Sequence, residues 1–93
     1  MRIMLGKSLA GHDKNHIYVV YKEEENYLIL VNGNTKTIDK PKKKNKMHVQ
    51  LIKKLPADIQ SKVDSIDNLD DEVINDIVNS YNKYLETCAG THN

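Results

Sequence analysis

Ser8–Val20, SLAGHDKNHIYVV, is the stretch that decides the fold of this 93-residue chain. It leaves a strand at Leu9, turns through Ala10 and Gly11, and crosses a polar, basic loop. It then re-enters a strand in which Ile17, Tyr18, Val19, Val20 and Tyr21 follow one another without a charged or small polar break. An unbroken apolar run of this length suits a strand buried on both faces, as in a tight barrel. Outward from it, Ile3–Leu9 is the expected first strand and His16–Lys22 the second. Glu23 to Asn26 form a polar turn, and Tyr27–Val31 is the third strand. Asn32-Gly33 is the strongest short hairpin signal, because both residues tolerate the positive φ of a type I′ turn. Asn34–Asp39 is then expected to pair back as a fourth strand, Lys40–Lys46 to be a loop stiffened by Pro41, and Met47–Lys53 to be the fifth strand. Five short strands joined by brief turns point to a small antiparallel barrel.

At Pro56 the hydrophobic period changes from 2 to 3.6. Leu69, Val73, Ile74, Ile77, Val78, Tyr81, Tyr84 and Leu85 fall on one helical stripe. Asn68 or Asp70 can cap its start, and Asp70, Asp71 and Glu72 lie where the helix dipole favours negative charge. A shorter helix over Ala57–Val63 is expected, with Pro56 at its first position and Ile59 and Val63 facing inward. Residues 88–93, CAGTHN, read as a frayed end. The organisation is thus a barrel over 1–55 and an acidic helical extension over 56–93.

Charge follows the same division. The net charge of +1 is an average over twelve Lys/Arg against five Asp/Glu up to Leu55, and two Lys against eight Asp/Glu from Pro56 onward. That is +7 beside −6, a basic working half and an acidic half with a separate role. The core has to be small: the chain is 39% hydrophobic and has no Trp and no Phe. A single cysteine, Cys88, rules out an internal disulfide and fits a reducing compartment. No signal peptide is recognisable, and no stretch approaches the roughly 20 apolar residues of a membrane helix. The expected location is cytoplasmic.

Ser8-x-Ala10-Gly11-x-Asp13-Lys14, followed by Ile17-Tyr18-Val19-Val20, resembles the KOW motif. Lys40-Pro41-Lys42-Lys43-Lys44 with His48-Val49-Gln50 resembles the same group, in which a lysine-rich loop precedes the last strand. The likeness covers roughly Lys7 to Leu51 and is closest to KOW-type ribosomal-like proteins of bacteria, kin to small large-subunit ribosomal proteins of archaea and eukaryotes. It implies a five-stranded SH3-like barrel, here followed by one or two C-terminal helices, and binding to ribosomal or other structured RNA. By position, Gly11 is the turn glycine, and Asp13, Lys14 and their neighbours form the loop that approaches RNA. The family usually has glycine after the Asp-Lys pair. Here Asn15 stands there, the next best residue for a left-handed backbone.

The expected RNA-binding set is therefore Gly11, His12, Asp13, Lys14, Asn15, His16, Lys36, Lys40, Lys42, Lys43, Lys44, Lys46 and His48. Lysine meets phosphate as a point charge, so these residues supply affinity without base selectivity. A solvated loop kept polar for solubility is the plain alternative. Against it stand the self-repulsion of five lysines within seven residues, the stiffness of Pro41, and the nearby Lys14 and Lys36. Tyr18, Tyr21 and Tyr27 could stack on bases, but in a core without Phe or Trp they read first as packing residues.

His12 and His16 flank a loop, where an i, i+4 pair shares no face. Cys88 and His92 have the same spacing near the chain end, and neither pair reads as a metal site. No nucleophile has an activating partner and no glycine loop cradles phosphate, so neither an enzyme nor a cofactor is expected. The expected function is non-catalytic RNA binding in ribosome association or assembly. The helical stripe is expected first to pack on its own barrel and enlarge a small core. The competing class is a protein-interaction adaptor that uses the acidic amphipathic helix, with Tyr81 and Tyr84 as anchors for a partner or a second copy.

Overall fold

The structure, a computed structural model, describes residues 3–91 of the chain, with side chains to residue 87. Five strands and two helices follow in order: β1 (Leu5–Ser8), β2 (Ile17–Glu23), β3 (Tyr27–Val31), β4 (Lys42–Asn45), β5 (Val49–Ile52), α1 (Ala57–Asp64) and α2 (Asp71–Thr91). A 3-10 turn, Lys46–His48, joins β4 to β5. The sheet order is β4-β3-β2-β1-β5, every pairing antiparallel. The first and last strands of that order are not paired with each other.

β2 carries the two-sided burial that its composition implies. Ile17 and Val19 belong to one core with Leu5 and Val31, while Tyr18 and Val20 belong to a second with Leu28, Leu30 and Val49. The register slips between Val20 and Lys22, so Tyr21 is bulged out of the β2–β3 ladder. A bulge increases local twist and bends its strand. The sheet is coiled hard enough to bring distant corners together: the Lys46 N–H donates to the Asn26 carbonyl, and the His48 carbonyl accepts from Leu9 N–H. Asn26 and Leu9 lie beyond opposite ends of β2. Three residues of chain span at most about 11 Å.

The helices cover the first core. Ile59 and Val63 of α1 and Ile74, Ile77, Val78 and Tyr81 of α2 join Leu5, Ile17, Val19 and Val31 in one cluster. The composition change at Pro56 is therefore crossed by a shared core. The Asp70 side chain caps α2, its Oδ1 accepting the Val73 N–H at 2.9 Å. Tyr81, proposed from sequence as a partner anchor, is instead 9% exposed and packed inward, whereas Tyr84 and Leu85 lie half outside. The helix continues to Thr91, through a segment read from sequence as frayed. The Cys88–His92 pair lies outside the described side chains.

The fourth strand is not where the sequence pattern placed it. Residues 34–39 are irregular, and Lys42–Asn45, expected as loop, forms β4 along β3. The hairpin signal fails for a specific reason. Gly33 has φ +76°, but Asn32 does not share the positive φ of a type I′ turn. The Asn32 carboxamide oxygen instead accepts the N–H groups of Asn34 and Lys36, both at 2.9 Å. A side chain at Gly33 would collide with the Asp71 carbonyl and the backbone of Asn75, so this loop seats the first turn of α2. Asp71 Oδ1 completes the seat by accepting the Ile38 N–H at 2.9 Å. Among the described residues no helix is long and apolar enough to cross a membrane.

Candidate nucleic-acid interface

The loop between β1 and β2 is built around Asp13. Its turn is closed by Lys14 N–H to the Gly11 carbonyl and Asn15 N–H to the Ser8 carbonyl. Gly11 and Asn15 hold φ of +89° and +75°, the left-handed region that the glycine and the asparagine were expected to supply. This conformation turns Asp13 inward until it is 7% exposed. There each carboxylate oxygen meets two donors. Oδ1 accepts from the Ser8 hydroxyl at 2.9 Å and the Lys44 ammonium at 2.9 Å; Oδ2 accepts from the Tyr18 hydroxyl at 2.8 Å and pairs with Lys42 at 2.9 Å.

Burial alone would raise the Asp13 pKa. The hydrogen bonds from Lys44, Lys42, Tyr18 and Ser8 outweigh it, and the carboxyl is held well below the usual carboxylate range. Tyr18 is affected in the opposite sense: burial first, then its bond to Asp13 and that residue's charge, push its hydroxyl above the normal tyrosine range.

The buried carboxylate also explains why a KKKN segment is a strand. Alternation along β4 sends Lys42 and Lys44 to the inner face, opposite Leu30 and Leu28, and sends Lys43 outward. Two ammonium groups on an inner face are tolerable because Asp13 answers both. Lys44 additionally donates to the Ala10 carbonyl at 2.8 Å and its side chain is only 11% exposed.

The thirteen residues expected to meet RNA thus divide. Asp13 and Lys44 are turned inward and tie the loop to β4; neither presents its charge to a ligand. Lys42 is partly withdrawn, its side chain 29% exposed. His12, Lys14, Asn15 and His16 lie exposed on the loop, with Gly11 at its turn. Lys40 is exposed just before β4. Lys43 sits 4.7 Å above the Tyr27 ring and 3.6 Å from Glu24, and Lys46 bonds Glu23 at 2.8 Å. Tyr27, read from sequence as a core residue, is 41% exposed. Hydrogen bonding and the charge of Lys46 lower the Glu23 pKa.

These last two ion pairs are at the surface, where such pairs contribute little and exchange readily for another anion. Asp13, Glu23 and Glu24 nevertheless answer four of the five clustered lysines. The self-repulsion inferred from sequence is relieved mostly within the fold. None of the described ion pairs joins a lysine of the sheet to a helix carboxylate.

His48 is exposed on the 3-10 turn and is linked to the loop through its carbonyl. Lys36 lies on the loop seating α2, which faces Asn15 and His16 across a cleft of about 270 Å³. A second cleft, about 780 Å³, opens where the end of β2 meets the end of β5. Lys22, Lys53, Glu23 and Asp64 line it with both signs of charge, and nothing selects a ligand there. Sequence reasoning missed Ser8 and Tyr18 as partners of Asp13. The available signal was Asp13 itself, the only acidic residue before Glu23, with hydroxyls five residues away on either side. No family model and no curated protein matches this chain.

Proposed function

We propose that this chain is a non-catalytic RNA-binding protein of the KOW-like, ribosome-associated kind, holding the RNA backbone through basic loops on a half-closed SH3-like barrel. The observation carrying the proposal is the Asp13 cluster. It fixes the KOW-like loop in a left-handed turn, ties that loop to the lysine strand, and leaves Lys14, His12 and His16 on the outside. Barrel-like closure is supported by the meander order and by the 3-10 turn, which hydrogen-bonds at one end to Asn26 and at the other to Leu9. Such a rigid mount presents cations without the entropy cost of ordering a free loop.

The contact set consists of Lys14, Lys36, Lys40, Lys43 and Lys46, with the exposed histidines. Lys44 and Asp13 act as positioning residues. The adaptor alternative loses most of its surface, because the apolar stripe of α2 through Tyr81 packs on its own sheet. A Lys14→Glu, Lys40→Glu, Lys43→Glu variant tests the proposal against structured ribosomal RNA by filter binding or fluorescence anisotropy. It should keep the native circular dichroism spectrum and lose binding by at least about a hundredfold at low salt, where charge contacts dominate. Undiminished binding by the folded variant would remove these loops as the interface.

A further inference from the structure

The 270 Å³ cleft between the β1–β2 loop, the β3–β4 loop and α2 has an unusual lining: Asn15, Asn32, Asn34, Asn75, Asn79 and Asn82 all border it, with His16. Two of the six are committed to the fold. Asn32 organises its own loop, and Asn75 donates to the Asn32 carbonyl at 3.3 Å while accepting from Asn79 at 2.9 Å. The carboxamides of Asn15, Asn34 and Asn82, and the carboxamide oxygen of Asn79, have no hydrogen-bond partner among the described residues.

These free groups are held by rigid backbone. Asn15 is locked at φ +75°, Asn34 is fixed through its N–H to Asn32, and Asn79 and Asn82 stand on consecutive turns of α2. Asp71, Glu72, Asp76 and Glu86 make that helix acidic, yet its face at 75, 79 and 82 is neutral. A nearby polyanion is not repelled by the cleft lining itself. Lys14 and Lys36 lie in the two loops that form its walls.

We infer that this cleft receives an unpaired nucleobase, adenine in the first instance, from the RNA whose backbone the lysines hold. The inference rests on the proposed RNA-binding function and adds base selectivity to it. A carboxamide presents a donor and an acceptor in one plane, matching the paired N6 donor and N7 acceptor of adenine. Phosphate would need cations, and the cleft lining has none. The volume, just below that of ordinary small-molecule pockets, suits one planar base rather than a whole cofactor. The exposed His16 ring offers a surface on which such a base can stack.

The test uses the full chain with short single-stranded oligo(rA), oligo(rC) and oligo(rU) and an RNA duplex, at one fixed salt concentration. Asn15→Gly deletes a carboxamide while keeping the left-handed backbone, and Asn34→Ala/Asn82→Ala removes two exposed ones. The native chain should prefer oligo(rA), by about five- to 150-fold if one bidentate contact forms. Both variants should bind oligo(rA) no better than the other strands, with an unchanged salt slope. Equal binding of the three strands by the native chain overturns the base site, as does a preference that survives in both variants. Binding of the duplex and all strands alike would leave the RNA-binding proposal standing and remove only this inference. Failure of every RNA to bind would bring down both.

Discussion

Replacing Asp13 by asparagine keeps the shape of the side chain and removes the charge that four donors converge upon. Lys44, with its side chain 11% exposed, cannot reach water without disturbing the loop, whereas Lys42 at 29% can swing outward. Removing one partner of a buried pair costs about 3–5 kcal/mol. Because Lys42 can escape, the lower end applies, about 3 kcal/mol. A domain of this size has roughly 5–14 kcal/mol of stability in all, so the loss is a large share. Each kcal/mol lowers the melting temperature of such a domain by about 4–8 °C, giving a fall of roughly 12–24 °C.

The dependence on pH separates charge from shape. The folded pKa of Asp13 is depressed, so its stabilisation is complete above its unfolded value, near 4, and is lost as pH falls toward the folded one. In that window the native chain should lose about 1.4 kcal/mol per pH unit more than Asp13→Asn. The gap of about 3 kcal/mol should be nearly closed by about pH 2. Urea denaturation of both proteins, followed by far-ultraviolet circular dichroism between pH 7 and pH 2, measures it. A gap below about 1 kcal/mol at pH 7, or one that stays constant to pH 2, would refute the central role given to this carboxylate.

Other consequences are independent of that one. Tyr18→Phe should cost about 1.5–3 kcal/mol in urea denaturation, the range for a hydrogen bond to a charged group. The raised pKa of Tyr18 means its stabilisation is whole below the unfolded value near 10 and is lost as pH climbs through the folded one. In an alkaline absorbance titration the last of the five tyrosines to ionise should therefore vanish in that variant. Gly33→Ala combines a left-handed backbone with a collision against α2, and should destabilise by about 2–5 kcal/mol. If the five lysines of the contact set release counterions from RNA, log K against log salt should slope at about −3.5 to −4.5, and a slope steeper than about −5 would mean Lys42 and Lys44 also reach phosphate.

Where sequence and structure agree, the physics was local. The apolar run at Ile17–Tyr21 could be buried only from two sides, and the 3.6-residue stripe of α2 needed a sheet to cover. Asn15 took the left-handed conformation because few other residues do so at little cost. Disagreement arose where a distant group decided the outcome. Thr35, Lys36, Thr37 and Ile38 alternate as a strand should, but the Lys36 N–H is claimed by the Asn32 carboxamide and the Ile38 N–H by Asp71, which lies 33 residues from Ile38, while the Lys36 carbonyl accepts from the Asn32 and Gly33 N–H groups. Lys42–Asn45 has poor strand propensity, and it pairs with β3 because Asp13, 29 residues before Lys42, lies within ion-pair distance of both inward lysines.

The same long-range dependence changes which lysines matter for function. A cluster of five reads as one cationic patch when only its spacing is known. In the fold it separates into an inward pair on β4 fixed by Asp13, Lys43 and Lys46 held by exchangeable surface carboxylates, and an exposed Lys40 just before β4. Charge reversal at Lys44 would therefore unfold the loop and abolish RNA binding indirectly. Reversal at Lys43 would displace a surface cation that lies over Tyr27 and pairs with Glu24. Comparing the two variants by binding and by melting temperature distinguishes positioning from contact. Lys43→Glu should weaken RNA binding with a melting temperature within a few degrees of the native chain, as expected when an exposed ion pair is lost. Lys44→Glu should lose both together. If Lys44→Glu instead kept its melting temperature while losing RNA, Lys44 would be a direct contact, and the lysine strand would meet RNA through the face assigned here to the core.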